Sequence, residues 1–285
     1  MLASIVVALL LAAPGTGGNV ERWRAEREAR LRADDGWLSL TGLFWLQQGE
    51  NRIGSAPGSR VELPSGFPAA AGVLIRRGNA VHLRPVAGAD VLLNGKKTGG
   101  ADLRTDKTSS PDILQVGRLR LHLIERGSKL GVRMKDPRSA ARVHFRGLQW
   151  FPVKDEWKVR ARFVSQPKKM FFDAQAGDRQ EYMSPGYVEW ERNGQTLRLT
   201  PVTEDGQLFF VFRDATSGKS TYAAARFLDT DPPKDGFVVL DFNKAYNPPC
   251  VFTPYATCPL PPPENRLKVA VEAGERMYSG HDESR

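Results

Sequence analysis

Glycine, asparagine and proline interrupt short apolar runs about every eight to twelve residues from Gly36 onward, which is the spacing of strands joined by turns. Asn94-Gly95 and Asn193-Gly194 each separate two such runs, and both residues of an Asn-Gly pair tolerate the positive φ that a two-residue hairpin requires. Residues 119–123 alternate leucine with a polar side chain, the period of a half-buried strand. No long helical patterns alternate with these strands, so we expect an all-β sandwich or barrel and not a parallel α/β sheet.

Residues 2–13 form an apolar stretch of the length of a signal-peptide core, and small residues follow it. The stretch is too short to span a bilayer, and no later segment is a candidate transmembrane span. We therefore expect a signal peptide over residues 1–18 and export of the protein to the periplasm or the cell envelope.

The remaining chain divides into three segments. Residues 19–35 are rich in helix formers, but Trp23 and Leu31 provide only a thin apolar stripe, so this segment is predicted to be a short helix docked on the body. Residues 36–146 are predicted to form a β-sandwich, and residues 147–285 a second antiparallel β domain. The sequence LKVAVEAGE, from Leu267 onward, is expected to be its last strand.

The chain of 285 residues carries 41 basic and 32 acidic residues, a net charge of +9. Such a balance can attract anionic partners. The basic residues are scattered, however, and no recognisable nucleic-acid module accompanies them, so nucleic acid is not an expected partner.

Motifs for familiar chemistry are missing from the sequence, which has no G-x-S-x-G, H-E-x-x-H or C-x-x-C pattern. The run Gly218-Lys219-Ser220 joins two predicted strands, whereas a phosphate-binding loop requires a strand followed by a helix. We expect a hairpin there, with the second strand over residues 221–228. No cofactor and no metal site are predicted.

The most unusual feature is the segment from Asp241 to Asn265, here called the cassette, which contains seven of the 20 prolines. Proline fixes φ and lacks an N–H donor, so the cassette cannot be a regular helix or a central strand. A rigid loop of this kind can present convergent polar groups to a ligand. It can equally be a cover packed over one end of the fold.

Cys250 and Cys258 are the two cysteines of the chain, and both lie in the cassette. In an exported protein an intrachain disulfide is the leading interpretation. Closing so short a loop would stabilise the fold by about 2–3 kcal/mol in the chain-entropy model. Two thiolates cannot complete a tetrahedral zinc site, so a metal would require Asp241 or a distant histidine in addition.

The segments GENRIGSAPGSRVELPSG, GVLIRRGNAVHLRP and DVLLNGKKT resemble a forkhead-associated-type β-sandwich. Members of that fold bind phosphothreonine with an arginine beside the Ile-Gly pair and a Ser-x-x-His motif. Here Ser55 follows the pair and the motif is missing, so the resemblance implies the fold and not the phosphopeptide site.

The cassette, the upstream TSGKSTYAAARFL and the earlier GWLSLTGLFWLQQGENRIGS resemble the bacterial domain-of-unknown-function family 1684. The resemblance implies no established activity. It does imply that certain residues match the family's motif positions: Arg226, Asp241, Asn243, Tyr246, Asn247, Cys250, Cys258 and Asn265.

Three hypotheses about function follow. In the first, the protein binds a small anionic ligand in a pocket lined by the cassette, through Tyr222, Arg226, Asp241, Asn243, Tyr246, Asn247 and Asn265. In the second, it is a hydrolase, metal-assisted or not, that uses Asp241 as the candidate catalytic base in the same pocket. In the third, it is a structural or interaction protein of the envelope.

Overall fold

The computed structural model describes residues 16–174 and 179–281. Residues 1–15 of the predicted signal peptide lie outside the described residues. A helix opens the described chain and is followed by eleven short strands and a second, short helix. Their bounds are α1 Thr16–Arg32, β1 Leu40–Trp45, β2 Gly49–Gly54, β3 Val61–Glu62, β4 Gly72–Arg77, β5 Ala80–Pro85, β6 Val91–Leu93, β7 Lys96–Lys97, β8 Ala101–Asp102, β9 Leu114–Val116, β10 Leu119–Arg126, β11 Lys129–Lys135 and α2 Ala140–Val143.

Strands β1 to β11 form two sheets, of six strands in the order β1-β11-β10-β9-β6-β7 and of five in the order β3-β2-β4-β5-β8. All pairs are antiparallel except β2 with β3. Alternate side chains of both sheets meet in one apolar core that includes Ile53, Leu74, Leu83 and Leu121. The predicted Asn94-Gly95 hairpin is confirmed, since both residues have positive φ and Leu93 pairs with Lys96. The more specific resemblance of this sandwich to forkhead-associated domains stays a prediction.

The second half contains seven strands in two further antiparallel sheets. Their bounds are β12 Lys158–Asp173, β13 Arg179–Arg192, β14 Gln195–Leu199, β15 Val202–Glu204, β16 Gln207–Phe212, β17 Arg226–Thr230 and β18 Phe237–Asp241. One sheet has the order β14-β13-β12-β18 and the other the order β15-β16-β17.

The two sheets of the second half share a core that contains Trp190, Phe210, Phe212, Leu240 and Phe242. The all-β prediction is thus confirmed. Among the described residues no strand ladder joins the first pair of sheets to the second, while the exact boundary at 146/147 stays a prediction.

The segment from Leu267 to Glu275, expected to be the last strand, is not a strand. The backbone N–H and C=O groups of this segment form hydrogen bonds that do not belong to a strand pairing. The carbonyl oxygens of Val271 and Ala273 accept hydrogen bonds from the Arg226 guanidinium, and the Val271 N–H donates to the Asp214 carboxylate. Two charged side chains therefore take the place that a neighbouring strand would have filled.

Helix α1 docks on the body through arginine as much as through apolar side chains. Its buried positions are Val20, Arg24, Arg27 and Leu31, one face of the helix. Arg24 donates to the Phe151 carbonyl oxygen at 2.8 Å. The helix docks on the body as the sequence predicts. The contacts, however, are made by arginines as well as by the predicted apolar stripe.

The part of the chain that the structure describes includes no helix long and apolar enough to cross a membrane.

Candidate functional site

A cleft of about 1360 Å³ lies where α1, the first pair of sheets, the second pair of sheets and the cassette meet. Each of these four parts contributes charged or aromatic side chains to it. They include Trp23 and Arg27 from α1, Arg126 and Arg133 from β10 and β11, Phe209, Phe227 and Asp229 from β16 and β17, and Asp241, Tyr246 and Cys258 from the cassette. Ligand sites are commonly concave and lie at such junctions, so the cleft is the candidate site.

Of the seven predicted ligand-binding residues, Asp241 and Tyr246 line the cleft. Asp241 is half-buried at the end of β18, and its carboxylate accepts hydrogen bonds from the backbone and side-chain amides of Asn243, at 3.2 and 3.0 Å. Tyr246 donates from its hydroxyl to the Asp229 carboxylate at 2.8 Å. The ligand contacts proposed for these two residues are compatible with where they lie.

Arg226 lies in the core and away from the cleft, with no exposed surface. Its guanidinium forms an ion pair with Asp214 at 2.8 Å, and both side chains are fully buried. Burial lowers the pKa of Arg226, and the neighbouring Asp214 opposes that shift. The predicted role in pairing a ligand anion is therefore corrected, because its charge is already compensated within the fold.

Asn243 and Asn265 are also fully buried and serve as backbone connectors. The side chain of Asn243 accepts from the Lys154 N–H and donates to the Lys154 carbonyl oxygen, both at 3.0 Å. Asn265 bonds both backbone groups of Thr200 at 2.8 Å and donates to the Val211 carbonyl oxygen at 2.9 Å. These side-chain amides bond backbone N–H and C=O groups as a neighbouring strand would. Their donors and acceptors are therefore already used and are not available to a ligand in the cleft.

Asn247 belongs to the docking of α1. Its side chain donates to Glu275 at 2.8 Å, and its carbonyl oxygen accepts from Arg27 at 2.9 Å. Glu275 is fully buried, which raises its pKa, while Arg27 and Asn247 act in the opposite direction. Tyr222 is half-buried between two apolar clusters and hydrogen-bonds the Cys250 thiol, outside the cleft lining.

The most informative residue in the cleft is one that the sequence did not single out. Arg133 is 7% exposed and lies over the Trp37 ring at 5.0 Å. It donates to the Thr257 hydroxyl at 3.0 Å, and its Nε–H is buried without a partner. No carboxylate of the described residues forms an ion pair with it. Burial, together with the nearby Arg126, lowers the pKa of Arg133 to about 10, so it remains a cation at neutral pH.

Arg126 lies beside Arg133 and shares its partner. Its Nε donates to the same Thr257 hydroxyl at 3.2 Å, and its Nη1 forms an ion pair with Asp106 at 2.7 Å. Two guanidinium groups thus converge on one hydroxyl, and one carboxylate compensates them. This side of the cleft, defined by Arg126 and Arg133 and here called the arginine pair, carries an excess positive charge.

The cleft lining also contains acidic groups. Asp229 and Glu204 have solvent-exposed carboxylates, yet the enclosing walls remove part of the bulk water and raise the pKa of both. Tyr246, Arg27 and Arg30 lower the pKa of Asp229. The pKa of Glu204 is raised further by Asp205 and Asp229 and lowered by Arg126 and Lys107. Burial and the same Asp229 raise the pKa of Tyr246 well above its usual value. The cleft therefore combines cations with carboxylates whose pKa values are raised.

Cys250 and Cys258 are both buried and are free cysteines in the structure. The Cys250 N–H donates to the Cys258 sulfur at 3.2 Å. The predicted disulfide is thus not formed here, although the two residues are neighbours as that prediction requires.

Residues 16–174 and 179–281 contain no group of three or more His, Cys, Asp or Glu side chains placed to hold a metal ion.

A family model described as "Protein of unknown function (DUF1684)" matches residues 143–276, a range that includes the whole cassette. The chain belongs to this DUF1684 family. The solution NMR structure of an uncharacterized protein from Haloarcula marismortui is 31% identical over a match that covers 49% of this chain and 81% of that one, with a TM-score of 0.42. Comparison with curated proteins gives no match.

The DUF1684 match includes Asp229, Asp241 and Tyr246, whereas the arginine pair lies before it in the sequence. Sequence reasoning centred on the cassette could not bring in a side chain from β11. A weak signal existed, because Arg133 is a single cation within the apolar run LGVRM, where every residue from 130 to 134 is buried. A charge inside such a run indicates either an internal ion pair or a ligand site.

Proposed function

We propose that the protein is an exported binding protein that takes an anionic ligand in the cleft, held by the arginine pair. The observation that carries this proposal is Arg133, a buried cation with a partnerless N–H and no carboxylate partner among the described residues. A buried charge is costly unless it is paired, and an anionic ligand would supply the missing partner. Planar guanidinium groups suit carboxylate and phosphate oxygens in particular.

The rest of the cleft supports a ligand that is more than a bare anion. Its volume of about 1360 Å³ exceeds the ~300–1,000 Å³ of common small-molecule sites. Phe209 and Phe227 supply apolar surface, and Asp229 with Tyr246 supplies further hydrogen-bonding groups. We infer an organic ligand that carries hydroxyl or amino groups in addition to its acidic group.

Calorimetric titration and thermal shift with inorganic phosphate, malonate and citrate test the anion site. We expect at least one of these probes to raise the melting temperature of the wild type, and Arg133→Met to reduce its affinity at least about tenfold. Arg52→Met is the matched control, because Arg52 is exposed on β2 outside the cleft and its loss changes the net charge equally. Equal responses from the two variants would place the anion site elsewhere.

A hydrolase is the second candidate, favoured by the acidic groups in the cleft. Asp229 and Glu204 have raised pKa values, as a general acid requires, and Asp241 lies in the same cleft as a candidate base. A panel of nitrophenyl esters, phosphates and glycosides tests it. Turnover that is lost in both Asp241→Asn and Asp229→Asn would favour the hydrolase, whereas turnover that is unchanged in both would exclude it.

Export has its own test. Expression of the full chain in a Gram-negative host, followed by fractionation and N-terminal sequencing, should place a processed protein in the periplasm. Retention of an unprocessed chain in the cytoplasm would contradict the export proposal. If the chain is exported and neither binds an anion nor turns over a substrate, the structural or interaction role in the envelope gains.

A further inference from the structure

Cys250 and Cys258 lie in the wall of the cleft. Cys258 contributes to the lining, between Thr257 and Pro259, and Pro249 beside Cys250 also lines it. Both cysteines belong to the same apolar cluster as Phe209 and Phe227, which line the cleft too. The pair therefore lies next to the space that a small molecule in the cleft would occupy.

The two thiols are in direct contact. The Cys250 N–H donates to the Cys258 sulfur at 3.2 Å, and the thiols also hydrogen-bond to each other. Such a shared proton lowers the first pKa of the pair, seen at Cys250, and raises the second, seen at Cys258. At Cys258 the hydrogen bond to Cys250 and burial raise the pKa, and the positive charge of Arg133 opposes that shift. Because the thiolate is the reacting species, the contact makes the pair more reactive than two isolated buried thiols.

The backbone around both cysteines is held in place. Cys250 lies in the short 3-10 turn Pro249–Val251, and Cys258 is followed by Pro259, which forms a bridge to Ala174. Proline fixes φ at each of these positions. The sulfurs are therefore held near each other in the reduced protein, as the narrow geometry of a disulfide requires.

We propose that Cys250 and Cys258 form a reversible dithiol–disulfide couple that exchanges with small disulfides entering through the cleft. One thiolate of the pair attacks one sulfur of the incoming disulfide, which forms a mixed disulfide and releases one thiolate. The other cysteine, after losing its proton, then attacks the protein sulfur of the mixed disulfide, which forms the internal disulfide and releases the second thiolate. Two electrons pass from the protein dithiol to the small disulfide, and the two protons leave with the released thiols.

The full-length protein can be equilibrated with defined ratios of reduced and oxidised glutathione, quenched with an alkylating reagent and digested with trypsin. Lys244 and Arg266 flank both cysteines with no basic residue between them, so one peptide reports both. We expect the mass of this peptide to change from doubly alkylated to the internal disulfide as the ratio becomes more oxidising. Excess reduced glutathione should restore the alkylated form.

The mixed-disulfide step is tested with two isosteric variants. Cys250→Ser and Cys258→Ser each leave one thiol without a resolving partner, so neither can form the internal disulfide. At least one of them should accumulate a stable glutathione adduct on its remaining cysteine. Absence of an adduct in both variants would contradict the mixed-disulfide step.

The wild type alone decides reversibility, even if a serine variant does not fold. Two results would overturn the couple: double alkylation at every glutathione ratio, or an internal disulfide that excess reduced glutathione does not open.

Discussion

Substitution of Arg226 by methionine keeps a long side chain in the core and removes the guanidinium that organises the last segment of the chain. The guanidinium binds Asp214 and the carbonyl oxygens of Val271 and Ala273, and all three residues are buried. After the substitution Asp214 remains buried as an uncompensated carboxylate, and two carbonyl groups lose their donors.

The cost can be estimated from these contacts. Removal of one partner of a buried ion pair lowers the free energy of unfolding by about 3–5 kcal/mol. The two carbonyl groups add about 1 kcal/mol each, while the buried methionine side chain recovers about 1–2 kcal/mol. We therefore expect Arg226→Met to lower the free energy of unfolding by about 4 kcal/mol, a large part of the ~5–15 kcal/mol of a typical native protein.

Urea unfolding followed by tryptophan fluorescence measures this effect. With an m-value of about 3 kcal/mol/M, the midpoint should fall by about 1.3 M. The double variant Asp214→Asn/Arg226→Met removes the orphaned charge and should be more stable than the sum of the two single effects predicts. A loss below about 1 kcal/mol in Arg226→Met, or strictly additive effects, would refute the role assigned to the pair.

Burial, with the nearby cations Lys135, Arg133 and Arg126, lowers the pKa of His122 to about 4 from 6.5. The folded value lies below the unfolded one, so this stabilisation is complete above about pH 6.5 and is lost, by up to about 3 kcal/mol, as the pH falls towards 4. Urea midpoints measured across this range should decline less in His122→Gln. Gly274→Ala would place its Cβ against the Ala245 carbonyl oxygen, whereas Gly206→Ala has nearly the same φ, 79° against 78°, and open space. We expect about 1 kcal/mol of destabilisation for Gly206→Ala and at least about 2 kcal/mol more for Gly274→Ala, with the opposite order contradicting the argument. Asn265→Ala loses three buried hydrogen bonds and should cost about 3 kcal/mol by urea unfolding without changing affinity for the anion probes. Loss of anion affinity in folded Asn265→Ala would indicate that Asn265 does contribute to the ligand site.

Local features of the fold were predictable because they depend on neighbouring residues. The Asn193-Gly194 turn is an example, since positive φ at both positions determines a two-residue hairpin whatever the rest of the chain does. The strands β16 and β17 likewise follow from their apolar runs. However, β17 begins only at Arg226, four residues after Tyr222, because the preceding residues form a turn around Thr216.

Long-range features were not predictable, for a physical reason. Asparagines in the cassette looked like ligand groups, but an amide offers the same donor and acceptor to a distant strand as to a ligand. Only the three-dimensional pairing of Asn265 with Thr200, 65 residues away, distinguishes the two roles. In the same way, Arg226 and Arg133 are both arginines on β-strands, and only their partners reveal that one is neutralised and the other is not.

The docking of α1 has a consequence for how the chain is made. Arg27 and its buried partner Glu275 are separated by 248 residues, so the helix leaves the ribosome long before the group that receives it exists. At about 5–20 residues per second, that interval lasts on the order of 10–50 s. A short helix with a narrow apolar face is marginal in isolation. The ion pair that completes the docking of α1 can therefore form only after residue 275 has been synthesised, and the cleft that α1 helps to enclose is completed only after the cassette has emerged.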